Sequence, residues 1–344
     1  MSASPGHPEE GSRPSSGGTL HAPASAQAPD AQAAWRQQSE RSNMLMLRVM
    51  TWISLRLGRS AGRCVLYGIA AYFLIANAAA RRASRDYLRR VLQLPDAAQV
   101  GWRHVFRHFL SFASAIHDRV YLINDRFNLF DIRIHQEHLV AELTAAHQGV
   151  FLMGAHVGSF EVLRAVGRRQ PGLRVAMVMY EENARKLNAA LSAINPAARQ
   201  DIVPLGHADS MLRVNDLLST GSVVGMLADR RLNRDTTRSI TFLGEPAEFP
   251  VGPFRMAAIL RRPVVFMVGL YGGGNRYDIH FETLADFSSI AAGGREAAVQ
   301  AAMARYALLL EQHCRAAPYN WFNFFDFWQA DHPLPAANPV PTHD

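Results

Sequence analysis

Cysteine is scarce in this chain of 344 residues: Cys64 and Cys314 are the only two. That is too few for a disulfide framework at this length, so free thiols and a reducing compartment are expected, and a structural zinc site is not. Lysine is rarer still. Lys186 stands alone, and every other basic residue behind the net charge of +7 is an arginine. Several signatures are missing altogether: a Walker loop, G-x-G-x-x-G, HExxH, the G-x-S-x-G elbow and any aromatic-basic RNA motif. Their absence argues against nucleotide binding, zinc hydrolysis, a serine-elbow hydrolase and nucleic acid as a partner. No secretory signal is expected at the N-terminus, where no basic start leads into an apolar stretch. The longest uncharged apolar run, from Cys64 to Ala80, covers only roughly 26 Å as a helix, just short of the ~30 Å hydrocarbon thickness.

Composition then divides the chain. Residues 1–34 are rich in Ser, Ala, Pro and Gly with almost no large apolar side chains, so they are expected to be a disordered extension. Residues 35–92 carry eleven arginines against Glu40 and Asp86, interleaved with apolar stretches and with Trp52, Tyr67 and Tyr72. Arginine flanking an apolar run is the pattern of helices in or along an anionic membrane surface, and a core helix of a soluble domain is the plainer reading. A main domain over 93–330 and a C-terminal tail over 331–344 complete the division.

Within that domain, "GWRHVFRHFLSFASAIHDRVYLI" has helical spacing. His104 and His108 share a face at i, i+4, as a metal pair would, but no third ligand can be named. From residue 149 the rhythm changes. The runs "GVFLMGA", "LRVAMVMY", "DIVPL", "SVVGMLA" and "PVVFMVGL" alternate with amphipathic stretches of helical length. This predicts an α/β fold: a mostly parallel central sheet flanked by helices on both faces, preceded by the N-terminal membrane-associated helices. "YGGGNRYD" predicts a hairpin turn.

The stretch "GAHVGSFEVLRA" (154–165) ends the first of these strands. If a helix begins at Gly158 as N-cap, Glu161 falls at N3, and His156 lies at the carboxyl end of the strand, where open α/β sheets bind ligands. The imidazole can then fold back onto the carboxylate, which would fix its tautomer and leave the other nitrogen to take a proton from a hydroxyl. Equally, Glu161 serves as a helix cap and His156 as a hydrogen-bonded structural residue. Ser159 is a rival nucleophile that reads more naturally as a capping residue.

H-x-x-x-x-E behind a basic-apolar N-terminal segment resembles the bacterial lipid A biosynthesis acyltransferases, the lauroyl and myristoyl transferases, themselves similar to the glycerolipid acyltransferases. The likeness continues through "VMYEENARKLN", "GSVVGMLADRR", "FLGEPAEFPVGPFRMAAILRRPVVFMV" and "PYNWF", over roughly residues 44–328. The resemblance implies an O-acyltransferase with His156 as general base and Glu161 as its partner. Asp229, Arg230 (or Arg231) and Arg185 (or Arg199) would contact substrate. It implies an acyl thioester donor, on acyl carrier protein or CoA, with no metal and no other cofactor. The acceptor would be a hydroxyl of a lipid or glycolipid, and the place of work the cytoplasmic face of the inner membrane, against anionic lipid. A lipid hydrolase using the same dyad and a non-catalytic membrane-binding protein are the alternatives. "PYNWFNFFDFW" departs from the family pattern in having seven aromatics and no arginine, and leaves the acceptor open.

Overall fold

The computed structural model describes residues 52, 54–146, 148–163, 174–195, 201–206, 209–231 and 235–328. The expected disordered extension, the tail and Arg199 lie outside them. All the described residues belong to one compact unit, Met46–Asp344, so the segment 54–92 packs with the residues that follow it.

Seven strands form the central sheet: β1 (Asp131–His135), β2 (Val150–Gly158), β3 (Val175–Tyr180), β4 (Asp201–Leu205), β5 (Val223–Leu227), β8 (Pro263–Tyr271) and β9 (Arg276–Asp286). Their order is β1-β9-β8-β2-β5-β3-β4, and every neighbouring pair is parallel except β8–β9. That exception is the hairpin read from "YGGGNRYD", its turn made by Gly273 and Gly274 at positive φ. A separate antiparallel pair joins β6 (Thr237–Phe242) to β7 (Glu245–Pro250). All nine residues of β8 are buried, as both-faced burial of a central strand requires.

The sheet divides two cores by the two-residue period of its strands. Phe151, Met153, Val224, Met226, Val264 and Phe266 face one, while Val150, Leu152, Val223, Val265 and Met267 face the other. Helices α2 (Ala78–Val91), α7 (Gly252–Ile259) and α8 (Arg295–Ala316) contribute to the first core; α4 (His138–Ala145) and α5 (Glu181–Ile194) contribute to the second. Helix α3 (Trp102–Ile123) supplies Phe109 to one and Tyr121 to the other. Helix α6 (Ser210–Ser219) completes the α/β alternation.

The uncharged run Cys64–Ala80 is not one straight helix. Helix α1 (Ser54–Ala76) ends before Asn77, whose side chain accepts from Ala80 N and starts α2 at a bend of 96°. Among the described residues no single helix is long and apolar enough to cross a membrane, although the bent pair passes together. Several arginines of this segment pair internally. Arg59 is bidentate on buried Asp118 at 2.7 Å, and Arg89 and Arg90 both meet Glu245. The face of α1 away from Arg59 exposes Leu57, Val65, Tyr72 and Ile75 to solvent.

Candidate active site

Strand register builds the site. β2 and β5 are parallel neighbours with Gly154 opposite Leu227, and Ala228 N donates to Gly154 O at 3.0 Å. Two residues beyond each of these positions come His156 and Asp229. The chain therefore delivers an imidazole and a carboxylate side by side at the carboxyl ends of the two strands. Asp229 is fully buried. It accepts three hydrogen bonds: from His156 Nδ1 at 2.8 Å, from His156 N at 2.9 Å and from Trp321 Nε1 at 2.9 Å.

Burial alone would raise the Asp229 carboxyl. The attraction and hydrogen bond of His156, the Arg230 charge and the Trp321 indole outweigh it and hold this group well below the usual carboxylate range. A carboxylate that stays ionised requires a proton on Nδ1. The lone pair of a neutral imidazole is thereby left on Nε2. No hydrogen bond among the described residues occupies Nε2, and the side chain is 32% exposed. Desolvation lowers the His156 pKa, the neighbouring Arg230 and Arg119 add to that, and Asp229 opposes it.

The sequence pairs His156 with Glu161; the structure pairs it with Asp229. Glu161 is buried, accepts from Ser159 Oγ at 3.1 Å and faces Arg119 Nε at 2.7 Å, with no hydrogen bond to His156. The reason is the backbone after the strand. Gly158 closes β2 at φ +63, and the following turn, Phe160–Leu163, is a 3-10 segment that begins one residue after Ser159. A Cβ on Gly158 would lie 1.9 Å from Gly269 O, so only glycine lets the chain reverse this close to β8. Ser159 is itself buried, with its hydroxyl donating to Glu161, which does not suit a nucleophile.

Asp229, expected at the substrate, is instead the partner of His156. Arg230 stays beside the pair, donating from Nη2 to Phe322 O at 2.8 Å, while its buried Nε has no hydrogen-bond partner among the described residues. Arg185 is exposed on α5. The amides that follow His156 are already engaged, Gly158 N on Asn320 O and Ser159 N on Gly269 O, both at 2.8 Å. This leaves the guanidiniums as the cationic groups nearest the imidazole.

Sequence reasoning singled out the segment 318–328 but not its role, which is to clamp the site. Residues 318–328 cross the strand ends. Trp321 bridges Val157, Phe322 N donates to His156 O at 2.9 Å, and Asn320 pairs with both the N–H and the C=O of Tyr271. His104 and His108 serve this segment rather than a metal: His104 Nδ1 meets the Tyr319 hydroxyl, and His108 Nε2 meets Trp321 O while its Nδ1 meets Ser84. The one available signal was the density of aromatics with two asparagines among them. Arg119 carried no motif at all.

The family model for bacterial lipid A biosynthesis acyltransferases matches residues 34–330. The chain belongs to that family. It is therefore an acyltransferase of lipid biosynthesis, from a family that acts on lipid A and is associated with bacterial membranes. No curated relative matches the chain. Among the described residues no group of three or more His, Cys, Asp or Glu side chains is arranged to hold a metal ion.

Proposed function

We propose that the protein transfers an acyl group from a thioester, carried by acyl carrier protein or CoA, to a hydroxyl of a lipid or glycolipid acceptor, with His156 as general base. The observation that supports this most is the buried Asp229 carboxylate on Nδ1, which leaves the imidazole lone pair on Nε2 of a side chain that is 32% exposed. Nε2 takes the hydroxyl proton as the oxygen attacks the thioester carbonyl. Asp229 stabilises the imidazolium that forms. Arg230, with Arg119 held by Glu161, provides positive charge for the tetrahedral oxyanion. The imidazolium then returns its proton to the departing thiolate.

A membrane site of work accords with the exposed apolar face of α1, and the cytoplasmic face of the inner membrane is where a thioester donor is available. His156→Ala is expected to fold normally and to lose at least ~10² in transfer rate. Lipid mass spectrometry of a strain carrying it would show the acceptor lacking one acyl chain. Unchanged turnover would contradict the proposal, and thioester-dependent release of free fatty acid without acceptor would favour a hydrolase instead.

A further inference from the structure

Strand β2 does not keep step with β8. Between the pairs Gly154–Met267 and Gly158–Gly269 it advances four residues while β8 advances two. The two additional residues form a bulge that carries His156 out of the ladder, and bulges beside active sites re-aim side chains in this way. Backbone released by the bulge is bonded by a distant stretch of chain. Trp321 bridges Val157 in the antiparallel sense, Phe322 N donates to His156 O at 2.9 Å, and Gly158 N donates to Asn320 O at 2.8 Å. Residues 320–322 thus hold the bulge in one shape, and Trp321 Nε1 reaches Asp229 from the same stretch.

What fixes residues 320–322 is the end of β8. Tyr271, its last residue, lies two beyond Gly269, where the pairing with β2 stops. There the buried side-chain amide of Asn320 stands in for a neighbouring strand: Tyr271 N donates to its Oδ1 at 2.7 Å, and its Nδ2 donates to Tyr271 O at 3.1 Å. The side chain of Tyr271 is held in turn by α1. Its hydroxyl accepts from Arg63 Nη2, while Arg63 Nη1 donates to Gly274 O in the hairpin turn. A continuous series of bonds therefore runs from α1 through β8 to the imidazole and its carboxylate.

We infer that Arg63, Tyr271 and Asn320 are positioning residues for the His156–Asp229 pair, with α1 as their outer support. Arg63 fixes the end of β8, Asn320 fixes residues 320–322 upon it, and those residues hold both the bulge and Asp229. The role assigned to them rests on His156 acting as the base proposed above. It makes α1, whose opposite face is exposed and apolar, a determinant of turnover that acts through the hairpin rather than on substrate.

Turnover and the histidine tautomer can be read on the same full-length variants in detergent. Tyr271→Phe, which removes one hydroxyl, and Arg63→Gln are each expected to lower kcat about 5-fold with KM for the thioester unchanged. Arg56→Gln, the same loss of charge at an exposed position of α1, should leave kcat as it was. Asn320→Ala should cost about 10-fold, and combining it with Tyr271→Phe should still cost about 10-fold rather than the about 50-fold of independent sites. Nitrogen NMR of histidine-labelled protein gives the second reading, His156 being the signal absent from His156→Ala. Its proton should reside on Nδ1 in the unmodified chain, and the two ring nitrogens should move toward one another in Tyr271→Phe and Arg63→Gln as the tautomers mix. Should Asn320→Ala fail to fold, the double variant of Arg63→Gln with Tyr271→Phe tests the same series and should lose no more than either change alone. Unchanged kcat and unchanged nitrogen signals in Tyr271→Phe and Arg63→Gln, a rise in KM at constant kcat, or losses that multiply in the double variants would overturn the inference. Altered nitrogen signals while His156→Ala still transfers at full rate would uphold the positioning and remove the proposed base; loss of transfer in His156→Ala with the signals of Tyr271→Phe and Arg63→Gln unaltered would do the reverse.

Discussion

At the residue scale the chemistry rests on which nitrogen of His156 carries the proton. Three donors converge on Asp229, and losing one weakens the hold without destroying it. Trp321→Phe is expected to lower the transfer rate by about 10-fold and to cost on the order of 2 kcal/mol in denaturant unfolding, as for a hydrogen bond to a charged group. Burial and the two arginines set the His156 pKa below its ordinary value, so kcat/KM should fall with unit slope on acidification only below about pH 6.5. A pH–rate profile whose acid limb began above pH 7 would contradict that. His156 itself, and its place at a strand end, are legible from "GVFLMGAH" alone. Its partner is not. A carboxylate five residues on looks closer than one seventy-three residues on, and only the β2–β5 register brings the distant one into bond distance.

At the scale of elements, the central strands β2, β5 and β8 were readable because they are buried on both faces and therefore almost uniformly apolar. β1, β6 and β7 were not. "DIRIH" alternates between exposed and half-buried at the sheet edge, and the β6–β7 pair is short and mostly polar, so neither interrupts the chain with an apolar run. The break at Asn77 was equally hidden, since an uncharged run does not show where a helix turns by 96°. Two joints carry predictions. Gly158→Ala should destabilise by more than about 2 kcal/mol, because a methyl group there meets the Gly269 carbonyl and the backbone is left-handed. Asp118→Asn removes the carboxylate that holds Arg59 and accepts from Tyr277, and should cost about 3–5 kcal/mol, as for a broken buried pair. Thermal unfolding of each variant checks both.

At the scale of the whole molecule, three buried or half-buried histidines among the described residues have their protonation opposed by folding: His108 and His280, each pushed down to about 4, and His156. Desolvation leads in all three, joined at His280 by the adjacent His313 and His135. The unfolded chain binds the His108 and His280 protons at about pH 6.5 and the folded chain only near 4, and the His156 proton is shifted in the same direction. Stability is therefore highest above pH 6.5 and declines as pH falls from about 6.5 to 4. Unfolding midpoints measured across that window should drop steadily, and His108→Gln should flatten the slope. The membrane relation also belongs to this scale. Arginines such as Arg59, Arg89 and Arg90 form internal pairs, so charge count alone overstates what the segment offers a lipid surface.

The most direct measurement compares acyl transfer by Asp229→Asn with transfer by Glu161→Gln in the same assay. Each substitution neutralises one carboxylate near His156 and preserves its shape. Loss of about 10² to 10⁴ in kcat is expected for the first, because an amide at that position cannot hold the proton on Nδ1 and balance an imidazolium, and a loss below about 10-fold for the second. The reverse ranking, with Glu161→Gln crippled and Asp229→Asn nearly intact, would contradict the account.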